Sequence, residues 1–285
     1  MLTVPMTNTV KDLKFSDSRS IPQLGFGVWQ VEDDGAEAAV TKALEVGYRH
    51  IDTAKVYENE AGVGRAVAAS SIPREELFIT TKLWNADQGY EAAIAALEAS
   101  LERLGLEYVD LYLIHWLQPK QGLYVETWKA LIELQKRGLV KSIGVSNFTA
   151  DALREITDVT GVAPVINQVE THPYFNQAAL REVERDMGIL HESWSPLGQG
   201  KELLEDPVLV KIAERLGATV AQVVIAWHLQ LGNVVIPKSV TPSRIEENFA
   251  ATGVTLTDED MDAINGLDKG EDGRIGPDPA VSDFA

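Results

Sequence analysis

Tyr57, Lys82, Asp52 and His115 are residue types that can move a proton when they stand together. Tyrosine alone is a poor acid, with a reference pKa of about 10. A nearby ammonium stabilises the phenolate, and a carboxylate fixes the ammonium. Such a trio suits proton donation to a carbonyl oxygen at neutral pH. The spacing invites that grouping. Asp52 lies in the strand-like run Tyr48-Arg49-His50-Ile51-Asp52-Thr53-Ala54, just before Tyr57. Lys82 ends the run Leu77-Phe78-Ile79-Thr80-Thr81-Lys82, and His115 stands near the end of the run from Val109 to Trp116. Polar groups at the carboxyl ends of successive buried strands converge on one mouth if the sheet is a closed parallel barrel.

The rest of the chain repeats that strand-and-helix rhythm. Helical spacing predicts helices from Asn59 to Ser70, from Glu91 to Leu104 and from Leu123 to Arg137, the last stopped by Gly138. Strands follow at Lys141–Ser146, Pro164–Glu170, Ile189–Trp194 and Asn233–Pro237, with helices from Asp151, near Gln177 to Met187, and at Val220–Leu231 behind a Thr219/Gln222 capping box. With a strand near Gly25 to Trp29 the total is eight. Eight such units with short loops predict a single α/β domain over residues 1–285, a (β/α)₈ barrel. A doubly wound open sheet is the alternative, but it should carry a Gly-rich phosphate loop after its first strand. Gly62-Val63-Gly64 falls inside a helix-like run and lacks the third glycine, so it reads as packing. Val10 to Ile21, with Ser16-Asp17-Ser18 as its turn, predicts a hairpin closing the barrel bottom. Beyond Lys269 an irregular C-terminal tail is expected.

Composition narrows the function classes. Of 285 residues 45% are hydrophobic, enough for one large core. No run approaches the ~20 apolar residues of a membrane span, and Met1–Pro5 shows no signal-peptide pattern. Zero cysteines exclude disulfides and thiolate metal sites and agree with a cytoplasmic location. A formal charge of −18 disfavours nucleic acid and anionic membranes as partners. A monomer acting on a small molecule is expected.

Nine stretches, in order, resemble the aldo-keto reductase superfamily: Gly25–Trp29, Gly47–Ala54, Tyr57–Glu60, Thr81–Trp84, Leu111–Trp116, Gly144–Phe148, Asn167-Gln168, Ser195–Gly198 and Ile236–Val240. They cover roughly Lys14 to Leu267. The resemblance implies an NADPH-dependent carbonyl reductase working without metal. It makes Tyr57 the proton donor, Lys82 and Asp52 the pair that tunes it, and His115 the group that orients the substrate carbonyl. It assigns Ser146, Asn147 and Gln168 to the nicotinamide carboxamide and Trp194 to the ring face, where the family more often has tyrosine. Ser195, Leu197 and Gln199 would line the pyrophosphate path, and Gly27 and Val28 would also contact the cofactor. Lys238, Ser239, Val240, Arg244, Glu247 and Asn248 would hold the adenosine 2′-phosphate end. Two departures, His115-Trp116-Leu117 in place of His-Trp-Pro and a brief Gly198–Asp206 segment, resemble the bacterial branch that includes the 2,5-diketo-D-gluconate reductases.

Each residue also has a plainer reading. Lys82 by itself suits a Schiff-base aldolase, a reading that leaves Ser146, Asn147 and the Lys238 cluster unexplained. A nucleotide-binding sensor of the same fold with little turnover is the non-enzymatic alternative. His50 and His191 read as structural, His172 as a loop residue, and Thr257 with Asp260 as a helix start. Trp29, Trp84 and Trp116 follow or end barrel strands and would wall a pocket for aldehydes, dicarbonyls or keto-sugar acids. The tail from Gly270 is expected to border that pocket without sealing it.

Overall fold

A computed structural model describes residues 10–284; Met1–Pro5, where no signal peptide is expected, lies outside them. The chain enters through an antiparallel hairpin of β1 (Asp12–Lys14) and β2 (Ser20–Pro22), in which Asp12 pairs with Pro22 and Lys14 with Ser20. Phe15 and Ile21 are buried and pack with Phe78, Leu111, Leu113, Val165, Ile166 and Val234 into an apolar plug. The turn is pinned beside it by Ser142 Oγ, which donates to Asp17 Oδ2 at 2.7 Å. The predicted hairpin therefore does close the barrel bottom.

Eight parallel strands follow: β3 (Gly25–Gly27), β4 (His50–Asp52), β5 (Phe78–Leu83), β6 (Val109–Ile114), β7 (Val140–Ser146), β8 (Ile166–Glu170), β9 (Leu190–Trp194) and β10 (Val234–Val235). Each pairs with its neighbour in chain order. The circle closes between β10 and β3 through bridges at Leu24–Val235 and Gly27–Lys238. This seam is thin. Pro237 has no N–H to donate, and the expected Asn233–Pro237 strand shortens to two residues, with Gly27 N donating to Pro237 O at 3.2 Å.

Among the described residues ten α-helices cover the sheet: α1 (Asp33–Val46), α2 (Glu60–Ala69), α3 (Tyr90–Leu104), α4 (Tyr124–Lys136), α5 (Ala150–Thr160), α6 (Ala178–Asp186), α7 (Pro207–Leu216), α8 (Val220–Gln230), α9 (Pro242–Ala250) and α10 (Asp258–Asn265). The capping boxes predicted at Thr219/Gln222 and Thr257/Asp260 are both formed. Because side chains alternate along a strand, Ile51, Ile79, Leu83, Tyr112, Ile114, Ile143 and Val145 face the helices and build the main core. Each such burial is worth roughly 1.5–3 kcal/mol. The opposite set, including Asp52, Lys82, Gln168 and Glu192, is thereby driven into the barrel. Gly62 and Gly64 are packing residues. A Cβ on Gly62 would come 2.1 Å from Asp33 O, and one on Gly64 2.2 Å from Leu104 O. No helix among the described residues is long and apolar enough to cross a membrane.

Candidate active site

Lys82 is the hub of the barrel's carboxyl end. It is wholly buried, and its ammonium donates to Asp52 Oδ1 at 2.6 Å, to Thr53 O at 2.9 Å and to the Tyr57 hydroxyl at 3.4 Å. Three protons meet three acceptors, so no donor is left over. Asp52 is completed by Gln168 Nε2, which donates to Oδ2 at 2.9 Å. Strand register makes this meeting unavoidable, since β4 and β5 run side by side and both residues point inward. Tyr57 arrives from the short turn Lys55–Tyr57 after β4. His115 follows β6 and meets the Tyr57 ring edge-on at 5.7 Å between centroids. The sequence-predicted tetrad is thus one cluster at one mouth.

The electrostatics divide the labour. Burial pushes the Tyr57 hydroxyl above its ordinary pKa, while the Lys82 charge and hydrogen bond pull it back in part. Burial is the largest single influence on Lys82 and would strip its proton, but the charge and hydrogen bond of Asp52, with Tyr57 and Glu192, together outweigh it and hold the ammonium above its usual range. Burial, with Lys82 nearby, keeps His115 far below the usual imidazole pKa, so its ring is neutral. A protonated phenol, a fixed ammonium and a neutral imidazole therefore face the mouth.

A second ring of hydrogen bonds lies beside the tetrad. Ser146 Oγ donates to Gln168 O at 2.7 Å. Asn147 Nδ2 donates to His115 O at 2.9 Å and to Ser146 Oγ at 3.1 Å. Trp194 Nε1 donates to Asn147 Oδ1 at 2.9 Å. A tyrosine at position 194 has no such N–H, so the indole is fixed here by a bond of its own. Asn147 takes φ 55° and Ser195 φ 48°, both left-handed, turning the chain sharply at the ends of β7 and β9.

The remaining predicted cofactor residues fall along one rim. Gly27 bridges to Lys238 across the seam. Val28 is wholly buried; its N–H donates to Asp52 O, and its carbonyl accepts from Asn59. Ser195 and Leu197 are half-buried and Gln199 exposed, with Gln199 at φ 58° between two left-handed glycines. Past β10, Lys238 and Val240 are exposed around a buried Ser239, whose Oγ accepts from Thr241 N at 3.1 Å. Arg244 is exposed in the first turn of α9. Asn248 is buried, whereas Glu247 accepts from Thr219 Oγ1 at 2.9 Å and so also ties α9 to α8.

The tail does more at the mouth than its composition suggests. The buried Glu170 carboxylate, at the end of β8, accepts from Ile275 N at 2.6 Å and from Gly276 N at 2.7 Å. His172 Nε2 bonds the same carboxylate at 2.9 Å. Gly276 then passes so close to the Trp194 ring that a Cβ would lie 2.6 Å from it. Phe284 packs on Trp116 at 5.0 Å and Trp84 at 6.0 Å, and its carbonyl accepts from Asn85 Nδ2 at 2.7 Å. Trp84 stands edge-on to His115 at 5.3 Å. Trp29 is 42% exposed and Trp116 8%, so Trp29 stays at the rim while Trp116 lies beneath Phe284. Sequence reasoning did not find Glu170, Asn85 or Glu192. The one available signal was an acidic residue two positions past Gln168 on an otherwise buried strand.

His50 and His191 are buried on their strands among polar neighbours. His50 Nε2 lies 3.3 Å from Thr80 Oγ1. His191 bonds Thr171 and, from the outer side of β9, Glu184 of α6.

Known proteins resemble this chain in sequence and fold. Residues 23–269 match the Aldo/keto reductase family. An aldo-keto reductase of Mycolicibacterium smegmatis is 51% identical over 272 residues, covering 95% of this chain and 98% of that protein. Methylglyoxal reductase DkgA of Escherichia coli is 52% identical over 268 residues, covering 94% and 96%. Among solved structures, a mutant of Gox0644 in complex with NADPH is similar with a TM-score of 0.93 at 49% identity, covering 97% of this chain and 100% of that one. With half its residues shared along nearly its whole length, the chain belongs to the aldo/keto reductase family.

Proposed function

We propose that the protein reduces small aldehydes, dicarbonyls or keto-sugar acids to alcohols with NADPH, using Tyr57 as the general acid. The observation that carries this reading is the hydrogen-bonded unit of Asp52, Lys82 and Tyr57 facing His115. A carbonyl oxygen between the Tyr57 hydroxyl and the neutral His115 ring would meet one proton to take and one ring to steer it. As Tyr57 gives up its proton, Lys82 stabilises the phenolate and Asp52 keeps Lys82 in place.

The residues present fit the cofactor. Exposed Lys238 and Arg244 flank Ser239 in an otherwise strongly acidic chain, and arginine grips a phosphate with two parallel bonds. Gly27 lets β3 pass close to the chain that leads into Lys238, where a Cβ would lie 3.2 Å from Ile236 O. Gln168 retains its carbonyl and Ser146 a lone pair for a carboxamide; the Asn147 amide protons are already used, leaving it to hold Trp194 against the ring. The cofactor, when bound, supplies the hydride. The E. coli relative is named for methylglyoxal, so that dicarbonyl is the first substrate to assay.

Tyr57→Phe keeps the ring and removes the hydroxyl. Positioned proton transfer is worth roughly 10²–10⁴-fold, so turnover should fall by that factor while NADPH affinity stays nearly constant. Steady-state NADPH oxidation with methylglyoxal, phenylglyoxal, aromatic aldehydes and 2,5-diketo-D-gluconate gives the first quantity, and fluorescence titration the second. Near-wild-type turnover in the variant rejects the assignment of Tyr57. Wild-type inactivity on every carbonyl rejects the reductase reading.

A further inference from the structure

Strand β9 carries a carboxyl group that the proton chemistry above does not use. Glu192 points into the barrel on the same side of β9 as Trp194 and is wholly buried. Neither of its oxygens has a hydrogen-bond partner among the described residues. Oε1 lies 3.8 Å from His50 Nε2, and one side-chain atom each from His50, Asp52 and Glu192 falls within 4.8 Å of the others. The groups facing Glu192 are few. His50 and Asp52 come from β4, Lys82 from β5 and the uncharged Gln168 from β8; β10 sets apolar Val234 opposite it. His191 and Glu184 belong to the other side of β9.

Charge counting in this pocket leaves one vacancy. Two carboxyl groups face one ammonium, and that ammonium has spent its three donors on Asp52, Thr53 and Tyr57. Burial holds the His50 pKa down at about 3, so it brings no charge at neutral pH. The Gln168 amide also faces Glu192 and favours its ionised form, but the hydrogen bond it makes goes to Asp52. A carboxylate buried without donors and beside another carboxylate is costly, and such a group keeps its proton instead.

We infer that Glu192 is a positioning residue of the site: a neutral carboxylic acid stored beneath the Asp52–Lys82 pair, whose ionisation weakens Tyr57 as an acid. This inference rests on the reading of Tyr57 as proton donor. Burial, and then the Asp52 charge, raise the Glu192 carboxyl to about 8. Below that pH, Lys82 answers to one carboxylate. Above it, the Glu192 proton is lost to solvent, and the new negative charge makes Tyr57 harder to ionise.

Glu192→Gln keeps the shape and cannot ionise, and Glu192→Met is a second neutral variant should the first fold poorly. Three measurements test the inference. In infrared spectra of the wild type, a protonated-carboxyl carbonyl band should be present at pH 7, titrate near pH 8 and be missing from either variant. In ultraviolet difference titrations against Tyr57→Phe, Tyr57 should ionise about one pH unit lower in the variants, the usual size of a neighbouring-charge effect. In pH profiles of carbonyl reduction, the wild type should lose rate near pH 8 and the variants should not. A missing carbonyl band together with an unmoved Tyr57 midpoint overturns the inference. The infrared and ultraviolet arms need no turnover, so an inactive wild type would reject the reductase reading while those two arms still decide the role of Glu192.

Discussion

Lys82→Met tests the hub directly, and its size can be worked from the structure. The ammonium lies 3.4 Å from the Tyr57 hydroxyl. At an effective dielectric of about 20, a full charge at that distance favours the phenolate by roughly 5 kcal/mol. Asp52 opposes it with a carboxylate held 2.6 Å from the same ammonium. The net pull is therefore on the order of half that value, which is about a hundredfold in rate at 1.36 kcal/mol per tenfold. Lys82→Met should lower kcat/KM for carbonyl reduction by about that factor or more. Asp52→Asn should cost less, because it leaves the ammonium in place but less firmly held. The double variant should cost less than the two single changes combined, since Asp52 both holds Lys82 and opposes its charge at Tyr57. Stability should follow a different order. Lys82→Met strands a buried carboxylate, a loss of about 3–5 kcal/mol, and the added Asp52→Asn should recover part of it. Steady-state NADPH oxidation gives the rates, and denaturant titration the stabilities. Strictly additive barrier increases across the cycle would refute the idea that the pair works as one unit.

Arg244→Ala should weaken NADPH binding far more than NADH binding, measured by fluorescence titration; equal weakening would show that Arg244 does not read the 2′-phosphate. Phe284→Ala should raise KM for carbonyl substrates several-fold with little change in NADPH affinity, and truncation after Leu267 should do so more strongly, because it also strips two N–H donors from Glu170. A tail that instead slows NADPH binding would be a cofactor clamp. Gly64→Ala puts a methyl 2.2 Å from Leu104 O and should destabilise the protein by about 1–3 kcal/mol through overpacking, read by denaturant titration, without altering KM in the surviving folded enzyme. The pH dependence of stability should show two opposed slopes. His50 stays neutral down to about pH 3 when folded and titrates near 6.5 when unfolded, so stability falls as pH drops from about 6.5 toward 3. Glu192 keeps its proton up to about pH 8 when folded but loses it near 4.3 when unfolded, so stability falls again as pH rises between those values. Between about pH 6.5 and 8 the Glu192 slope should stand clear, amount to about 2 kcal/mol, and vanish in Glu192→Gln.

The sequence was most legible where one residue type in one pattern had one physical reading. Short strand-like runs marked the strands, and their ends marked Asp52, Lys82 and His115, because register alone brings inward residues of adjacent strands together. The capping boxes were equally plain. Helices α1, α7 and α9 were missed, although at α7 Asp206 with Pro207 at its first turn and the spacing of Leu209, Ile212 and Ala213 supplied a start and a buried face. What stayed hidden depends on contacts between distant segments. Nothing near Glu170 announces that it will grip backbone N–H groups more than a hundred residues away. Glu192 looks like any strand acid until the barrel closes around it. The turn between Trp116 and Gly122 does look short, but only the folded tail shows that Phe284, and not that turn, covers Trp116.

The two ends of the described chain lie at opposite ends of the barrel, and this matters for handling the protein. The hairpin at the amino end is locked to the barrel floor through Asp17 and Ser142, remote from Tyr57. Phe284 rests on Trp84 and Trp116 at the mouth. An affinity tag or surface tether at the carboxyl end would therefore follow closely on Phe284. It would pull on the same backbone that Asn85 and Glu170 hold. The described amino end, at the hairpin, lies away from that rim. Kinetic constants measured on amino-tagged and carboxyl-tagged preparations should differ in KM for the carbonyl, and immobilised enzyme should be oriented with its floor toward the support.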